Sequence, residues 1–305
     1  MKIVMAGATG FLGRPLADAL VAAGHQVTVL TRPSSKSQPD KRVTYVTWTP
    51  DGTVGKWASS LDGVDVVVNL AGESIATKPW TAEQKDKIRQ SRLNSTKSLV
   101  EAINAMMQPP RGFISASAVG YYGLRGGVIL RENSPPGTDF LAQLCMDWEQ
   151  EAERASSEAT RVATIRTGIV LAKDGGVLQR MITPFRFFIG GFLGNGKQYM
   201  SWIHKDDWVH LVEWMIENDA VTGAVNATAP EPVTNLELSK ALGRAMRRPC
   251  ALHTPAFMLR RMLGREAAEA LLLNGQRVIP QRALNLKFKF KHPKVLGALR
   301  DLFAS

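Results

Sequence analysis

The chain has 305 residues, of which 45% are hydrophobic and 21% charged, and its formal net charge is +11. These fractions exclude a largely disordered chain, and the sequence has no run of about 18 apolar residues that would predict a membrane-spanning helix. Two cysteines, Cys145 and Cys250, cannot form a disulfide framework and suit a reducing compartment. Because the first strand runs into a glycine turn without a signal-peptide pattern, we expect a cytoplasmic protein with no membrane insertion.

The first thirty residues have the pattern of a dinucleotide-binding unit. Residues 2–6 predict a short buried strand, GATGFLG at 7–13 a glycine turn, 14–23 a helix and 26–30 a second strand. The spacing is G-x-x-G-x-x-G, and its position between a strand and a helix gives it weight. A glycine-rich turn with no ligand is the alternative.

The three glycines of this turn have separate structural tasks. Gly7 permits the tight turn, Gly10 lets the backbone approach a pyrophosphate, and Gly13 lets the helix pack closely on the strand. The N-terminus of the helix then offers free N–H groups and a positive dipole end to the phosphates.

The residues after the second strand indicate which dinucleotide binds. NAD enzymes carry Asp or Glu here to bind the ribose 2′-hydroxyl. This chain has Arg32 and then Pro33-Ser34-Ser35-Lys36, with no carboxylate. A cation suits a 2′-phosphate, so we predict NADP(H), with Arg32, Ser34 and Lys36 close to the phosphate. A solvated loop arginine is the alternative.

Strands and helices go on alternating along the chain. The predicted elements are strands at 43–47, 64–70, 111–116 and 161–170 and helices at 81–105 and 140–156. This order predicts an α/β fold with a doubly wound parallel Rossmann sheet. Small-residue loops after parallel strands lie at the carboxyl edge of the sheet, where a cofactor binds.

Taken together, these segments resemble the extended short-chain dehydrogenase/reductases, the nucleotide-sugar epimerase superfamily. The chain is most similar to an atypical epimerase-family subgroup, whose members are labelled sugar-nucleotide epimerases or cell-division-inhibitor-like proteins. The matching blocks are GATGFLG (7–13), NLAGESI (69–75), KPWTAEQKDKIRQSR (78–92), SASAVGYYG (115–123), DFLAQLCMDWEQEA (139–152), RTGIVLAKDGG (166–176), GNGKQYMSWIHKDD (194–207), NATAPEPVTN (226–235) and LNGQRVIPQRAL (273–284).

The resemblance implies NADP(H) across the carboxyl edge of the sheet and two lobes. The nucleotide-binding domain is predicted at 1–172 with a return segment near 200–230, and a smaller mixed substrate lobe at 173–199 and 231–305. The predicted cofactor-binding residues are Gly7, Thr9, Gly10, Phe11, Leu12, Gly13, Arg32, Ser34, Lys36, Leu70, Ala71, Gly72, Glu73, Arg92, Ser115, Ala116, Arg166, Thr167, Gly168 and Ile169.

The superfamily's catalytic residues are only partly present. Its chemistry uses a serine, a tyrosine as acid/base, and a lysine four residues after that tyrosine. None of the four tyrosines here is followed by lysine at that spacing. The superfamily's pattern is Y-x-x-x-K-x-x-x-E. If Glu149 matches its final glutamate, Cys145 stands at the lysine and Leu141 at the tyrosine. Ser117 matches the serine, and Arg92 the usual asparagine of the preceding helix.

Two functions therefore remain open. Tyr122 or Tyr121 acts as the acid with Arg92 as the cation, in an NADPH-dependent oxidoreductase or epimerase on an unknown small molecule. Alternatively, the protein binds NADP(H) without turnover, as a regulatory protein linked to cell division. Packing of the tyrosine pair against the sheet edge is the purely structural interpretation.

The substrate side departs from the sugar-nucleotide pattern. Met200 replaces the arginine that in those enzymes contacts the nucleotide diphosphate, and methionine cannot clamp phosphate. Arg180 and Arg186 are predicted to face an anionic group, and Trp202 and His204 to lie near the substrate. We predict no metal site, because no His, Cys and carboxylate spacing suggests one.

The basic excess lies near the end of the chain. Residues 240–305 hold 14 of the 38 basic side chains and 3 of the 27 acidic ones. They predict amphipathic helices and, at 287–291, an edge strand with its lysines outward. We expect a solvated surface, with nucleic acid unlikely as a partner because no such module is recognised. Extended members often dimerise through the helices at 81–105 and 140–156, so a homodimer is possible.

Overall fold

The protein is described by a computed structural model that covers residues 1–33 and 40–304. Its strands are β1 Lys2–Ala6, β2 Gln26–Thr31, β3 Thr44–Thr47, β4 Val66–Asn69, β5 Gly112–Ala118, β6 Ile129–Leu130, β7 Arg161–Thr167, β8 Ile169–Leu171, β9 Gly191–Leu193, β10 Tyr199–Met200, β11 Trp202–His204, β12 Gly223–Ala227, β13 Val233–Thr234, β14 Leu252–Thr254 and β15 Arg277–Val278. Its helices are α1 Gly13–Ala22, α2 Ala82–Asn104, α3 Phe140–Glu153, α4 Gly176–Arg186, α5 Lys205–Glu217, α6 Asn235–Met246, α7 Ala256–Leu263, α8 Arg265–Ala268, α9 Gln281–Asn285 and α10 Val295–Phe303.

Seven parallel strands form the central sheet in the order β12-β7-β5-β4-β1-β2-β3. Apolar strands such as Val66–Asn69 are buried on both faces, as a sheet covered by helices requires. The chain order reverses between β1 and β4, which opens a crevice at the carboxyl edge of the sheet. The predicted doubly wound Rossmann sheet is thus confirmed.

The sheet and the smaller lobe are held by three apolar cores. One core packs α1 and α5 on one face of the sheet, with Leu16, Trp208 and Leu211 buried. A second packs α2 on the other face, around Leu99 and Phe113. The third joins α4, α6 and α10 in the smaller lobe and is made of Leu178, Ile182, Leu238, Leu242 and Leu299, among others.

Helix boundaries follow local capping chemistry. Thr81 caps α2 by accepting the backbone N–H of Gln84, which is the role that threonine commonly has before a helix. Thr234 and Glu237 form a capping box at the start of α6. The backbone and side-chain hydrogen bonds from Thr234 hold the pKa of the Glu237 carboxyl below its usual value.

Two predicted strands differ from the structure. The run at 161–170 is divided at Gly168 into β7 and β8, and β8 leaves the central sheet to pair with β11. The predicted edge strand at 287–291 is not formed: Lys287 has φ 62°, and Phe288 packs on Trp214 with ring centroids 5.4 Å apart. Exposed lysines still alternate there with the half-buried Phe288 and Phe290, but the segment pairs with no strand among the described residues.

The predicted domain division stays a prediction, but the end of the chain contributes to both lobes. Ala283 of α9 belongs to the same core as α1 and α5, while Ala298 and Leu299 of α10 belong to the core of the smaller lobe. Within residues 1–33 and 40–304, no helix is long and apolar enough to cross a membrane.

Candidate cofactor site and the polar network beneath it

The glycine turn has the shape that the sequence predicts. Gly7 has φ +80°, and a Cβ there would lie 2.6 Å from the backbone of Leu70 on the neighbouring loop. A Cβ at Gly13 would overlap the Gly7 carbonyl oxygen and lie 2.6 Å from Ala8 Cα. Thr9, Gly10 and Phe11 are exposed, and α1 begins without a side-chain cap. In its first turn the Arg14 N–H donates to the Gly10 carbonyl oxygen at 3.0 Å and Pro15 has no N–H, so fewer free N–H groups remain for a phosphate than the sequence predicts. The turn fits a pyrophosphate.

Cations and carboxylates meet beside this turn. Arg32 is exposed directly after β2, whereas Ser34 and Lys36 lie outside the described residues. Arg14, in the first turn of α1, lines a cavity together with Thr9 and Asp40. Sequence analysis did not single out Arg14, although its place after the last glycine of the turn is a usable signal.

Two carboxylates that line this cavity, Asp18 and Asp40, are both bound by Arg42. Arg42 donates to Asp18 Oδ1 at 2.6 Å and to Asp40 Oδ2 at 2.6 Å. The hydrogen bonds from Arg42 lower the pKa of the Asp40 carboxyl to about 2. Arg42 is therefore paired with two carboxylates, whereas Arg14 lines the cavity and Arg32 is exposed directly after β2.

The loop after β4 forms the next part of the edge. Asn69 is buried, donates from Nδ2 to Thr96 Oγ1 at 2.9 Å and accepts the N–H of Ala71 at 3.1 Å. Beyond it, Leu70, Ala71 and Glu73 are half-buried and Gly72 is exposed. The predicted cofactor residues of this loop are thus at the surface of the crevice, on a loop that Asn69 holds.

Arg92 fixes the same loop from α2. Its Nη1 donates to the carbonyl oxygens of Glu73 at 2.9 Å and Ile88 at 3.0 Å, and its guanidinium lies 5.1 Å from the Trp148 ring. Burial lowers the pKa of Arg92 below its usual value. Arg92 is a positioning residue for the loop, and its hydrogen bonds go to backbone oxygens.

A buried ion pair lies under the end of β5. Arg166 donates from Nε and Nη2 to the two carboxylate oxygens of Glu149, at 2.8 and 2.7 Å. Ser117 Oγ donates to Glu149 Oε1 at 2.6 Å. Burial acts to lower the pKa of Arg166, but the hydrogen bonds and charge of Glu149 outweigh it and raise that pKa. Ser117 and Arg166, predicted at the catalytic and cofactor sites, are bound to each other through Glu149.

Tyr122 belongs to this network. Its side chain is fully buried, and its hydroxyl donates to Asn226 Oδ1 at 2.7 Å while accepting from Arg166 Nη1 at 3.0 Å. Desolvation raises the pKa of Tyr122 to about 12. Both properties oppose the predicted acid/base role, because the hydroxyl has no open face and holds its proton tightly.

The structure places a different cation beside Tyr122 from the predicted Arg92. The cation beside the Tyr122 hydroxyl is Arg166, while Arg92 contacts the loop after β4. Tyr121 is half-buried, and the Arg166 guanidinium lies 3.4 Å from the centre of its ring. Both tyrosines, in the turn that follows β5, therefore contact the guanidinium of Arg166 on β7.

The positions aligned with the superfamily's tyrosine and lysine carry a half-buried leucine, Leu141, and a buried cysteine, Cys145. Leu141 and Cys145 on α3 pack under Gly120, where an added Cβ would lie 3.2 Å from Leu141 Cβ. Cys145 is buried, and desolvation raises the pKa of its thiol to about 11. Neither side chain can replace the missing acid and cation.

We expect alkylating reagents to distinguish the two cysteines. Cys250 is half-buried, whereas Cys145 is buried and its thiol stays protonated at pH 8. Iodoacetamide at pH 8 should therefore label Cys250 slowly and Cys145 only after denaturation, as mass spectrometry of the peptides would show. Labelling of Cys145 in the native protein at the rate of Cys250 would contradict its burial.

The predicted substrate residues divide into two pairs. Trp202 and His204 are fully buried, and Trp202 Nε1 donates to the Glu231 carbonyl at 3.0 Å. Their burial opposes the predicted contact with substrate, which stays a prediction. Arg180 is exposed and donates to the Ala76 carbonyl at 2.9 Å, which joins α4 to the loop after β4, and Arg186 is exposed at the end of α4.

The far end of the crevice is lined by the end of β7. Ser115 is buried in β5, whereas Ala116, Thr167, Gly168 and Ile169 are half-buried. Thr167 Oγ1 accepts from Trp208 Nε1 at 3.1 Å, which fixes this strand end on α5. Sequence reasoning gave no site role to Trp208, Asn226 and Glu132, which hold the site from segments distant in sequence, although Asn226 begins the matching block at 226–235.

The geometry agrees with comparisons to known proteins. The profile of the NAD dependent epimerase/dehydratase family matches residues 3–227, and a domain of unknown function, DUF1731, matches residues 254–302. The chain belongs to the NAD-dependent epimerase/dehydratase family. The match covers the whole central sheet and the glycine turn, and it confirms the resemblance to the epimerase-family subgroup.

Two curated members of this family are similar over nearly the full chain. An Arabidopsis thaliana protein named "Epimerase family protein SDR39U1 homolog, chloroplastic" is 42% identical over 99% of this chain and 86% of its own length. The Homo sapiens epimerase family protein SDR39U1 is 34% identical over 100% of both chains.

Solved structures extend the comparison to the fold. Human SDR39U1 (isoform 2), whose crystal structure is described as containing NADPH, superimposes with a TM-score of 0.90 at 33% identity over 99% of both chains. A UDP-glucose 4-epimerase from Thermotoga maritima superimposes with a TM-score of 0.79, but at 18% identity this likeness concerns the fold alone.

Proposed function

We propose that this family member binds NADP(H) at the carboxyl edge of the central sheet. The observation that carries the proposal is the turn from Gly7 to Gly13, where a Cβ at either end would collide with backbone. The uncapped start of α1 would face the pyrophosphate. The relative with the same fold over the whole chain, human SDR39U1, is described with NADPH.

The loops of the crevice would hold the remaining parts of the cofactor. The loop after β4, fixed by Asn69 and Arg92, would contact the ribose end of the crevice, and Thr167, Gly168 and Ile169 the nicotinamide end. Bound NADP(H) supplies hydride transfer. The chain's own contribution is a pre-formed crevice whose loops are fixed by buried hydrogen bonds.

Arg32 is the proposed determinant of NADP(H) over NAD(H). It is exposed at the end of β2, where no carboxylate stands to bind a ribose 2′-hydroxyl. We expect Arg32→Ala to weaken NADPH binding about tenfold or more, since a charge-assisted phosphate contact is lost, and to leave NADH binding nearly unchanged. Isothermal titration calorimetry with both cofactors tests this, and Arg32→Lys should retain part of the preference. Equal losses for NADPH and NADH would refute the assignment.

For turnover, we propose an oxidoreductase or epimerase-like reaction on a small molecule that does not rely on a Tyr-x-x-x-Lys pair. Family membership and the crevice support it. A proton donor other than Tyr122 is required, because the Tyr122 hydroxyl is fully buried. The test is NADPH consumption with fractionated metabolites, with Gly13→Ala protein as the matched control.

A second candidate is binding without turnover, as in a regulatory protein. It is favoured by Leu141 and Cys145, which occupy the aligned acid and cation positions, and by the buried Tyr122. Metabolite-dependent NADPH oxidation that disappears in Gly13→Ala would exclude it. A link to cell division and a homodimer stay predictions. A cytoplasmic location also stays a prediction, because one relative is described as chloroplastic.

A further inference from the structure

Four histidine and aspartate side chains, which can all bind metal ions, lie together at the start of α5, away from the proposed cofactor residues. His204, Asp206, His292 and Asp301, here called the His204 cluster, each offer one donor atom, and these atoms lie within 4.8 Å of one another. The sequence analysis predicted no metal site because these residues come from three segments: the start of α5, the loop before α10, and α10 itself.

Three of these side chains meet at Asp301, whereas Asp206 lies beside the other ring nitrogen of His204. Asp301 Oδ2 lies 3.5 Å from His204 Nε2 and 4.0 Å from His292 Nε2. The two imidazole rings are 4.0 Å apart between centroids. On the other side of the His204 ring, Asp206 Oδ2 lies 4.0 Å from Nδ1. The two distances to Asp301 are close to those between ligands of one small cation, so only small side-chain movements would bring the two Nε2 atoms and Asp301 into coordination distance.

The two histidines are buried without the hydrogen bonds that burial requires. His204 is 1% exposed and His292 8% exposed, and neither Nε2 atom has a hydrogen-bond partner among the described residues. A buried polar atom left unpaired is costly and uncommon in folded proteins. Both unpaired atoms face the same carboxylate, which is the arrangement that a bound cation would satisfy.

The loop that carries His292 is held by hydrogen bonds to a neighbouring carboxylate. The buried Asp207 carboxylate accepts the backbone N–H groups of Lys291 and His292 at 2.7 and 2.8 Å, which fixes the loop that carries His292. The His292 ring is thus held in place by a carboxylate that is not itself among the four donors.

We propose that His204, His292 and Asp301 bind a divalent transition-metal cation, and that Zn²⁺ fits this set of donors best. Two imidazole nitrogens and a carboxylate are ligands typical of zinc, with water completing the coordination. In the metal-free structure His204 Nδ1 accepts the Asp206 N–H at 3.1 Å, so binding through Nε2 requires this hydrogen bond to break and the ring proton to move to Nδ1. The Asp206 carboxylate is the nearby acceptor for that proton, in the carboxylate–histidine–metal arrangement.

The test uses the full chain, treated with EDTA and then titrated with Zn²⁺ alone. We expect one Zn²⁺ per chain by calorimetry, with a rise in melting temperature, and a d–d absorption spectrum of low-coordinate cobalt when Co²⁺ replaces Zn²⁺. Asp301→Asn should weaken Zn²⁺ binding at least about tenfold, because even partners of metal ligands change affinity by about 10–100-fold. The control Asp174→Asn removes an exposed carboxylate paired with Lys205 and should bind Zn²⁺ like the unmodified chain.

Two results would overturn the proposal. One is the absence of stoichiometric Zn²⁺ binding by the unmodified chain. The other is unchanged affinity in Asp301→Asn, which would place the ion elsewhere on the surface. Should Asp301→Asn fail to fold by circular dichroism, His292→Gln, which keeps a polar side chain of similar size, gives the same comparison. Because the readout is metal binding, the result is independent of whether NADP(H) is bound or turned over.

Discussion

A Glu149→Gln variant should lose about 3–5 kcal/mol of unfolding free energy, the usual cost of breaking a buried ion pair. Gln keeps the shape of the side chain but leaves the Arg166 guanidinium, 5% exposed, without its counter-charge. Ser117 also loses a charged acceptor. For a chain of this size the melting temperature should fall by about 10 °C, which differential scanning calorimetry and urea unfolding would measure.

The matched control lies on the same helix. Glu151 also pairs with an arginine, Arg154, whose side chain is 47% exposed. Because solvent screens such pairs, Glu151→Gln should cost less than about 1 kcal/mol. Replacing both partners, as in Glu149→Gln with Arg166→Met, should recover part of the loss, since no buried charge is then left alone. Equal effects of the two single variants would show that Glu149 is not the structural centre of the network.

Gly13→Ala should abolish measurable NADPH binding, with a loss of at least about 100-fold. The added Cβ would overlap the Gly7 carbonyl and lie 2.6 Å from Ala8 Cα, so α1 and the turn must separate. Small-to-large changes at packed positions cost about 1–3 kcal/mol of stability, and the turn would lose the shape that admits a pyrophosphate. Fluorescence titration with NADPH and thermal unfolding would measure both effects.

Gly24→Ala separates stability from binding. Gly24 ends α1 with φ +83°, and nothing lies within 4 Å of an added Cβ. Alanine there costs about 1–2 kcal/mol through its backbone conformation alone and leaves the glycine turn untouched, so NADPH affinity should stay unchanged. If Gly24→Ala weakened NADPH binding as much as Gly13→Ala, the loss would report general destabilisation and the close-packing argument would fail.

A feature can be predicted from the sequence when it depends on residues that are close together in the chain. The glycine turn, the cap at Thr81 and the alternation of strands and helices all follow from local spacing, and each is present. The edge strand at 287–291 was wrong because tertiary packing of Phe288 on Trp214 overrides a local alternation.

The candidate site was predicted less well because its polar partners are distant in sequence. Arg166 was predicted to touch the cofactor, but its hydrogen bonds go to Glu149, Tyr122 and the Glu132 carbonyl. Arg92 was predicted as the cation beside Tyr122, and no local spacing pointed to Arg166, which occupies that place. A pattern along the chain identifies a candidate residue, whereas its hydrogen-bond partner is set by which strands lie side by side.

The position of Glu132 has a consequence for folding during synthesis. Its Oε1 accepts the backbone N–H groups of Asn226 and Arg282, which are 94 and 150 residues further along the chain. The Arg166–Glu149 pair can form as soon as β7 has emerged from the ribosome, but the Glu132 carboxylate gains its contact with Asn226 only after β12 and its contact with Arg282 only after α9. We therefore expect nascent chains that end before residue 282 to hold an incomplete sheet edge and to depend on chaperones, because contacts of long sequence separation form late.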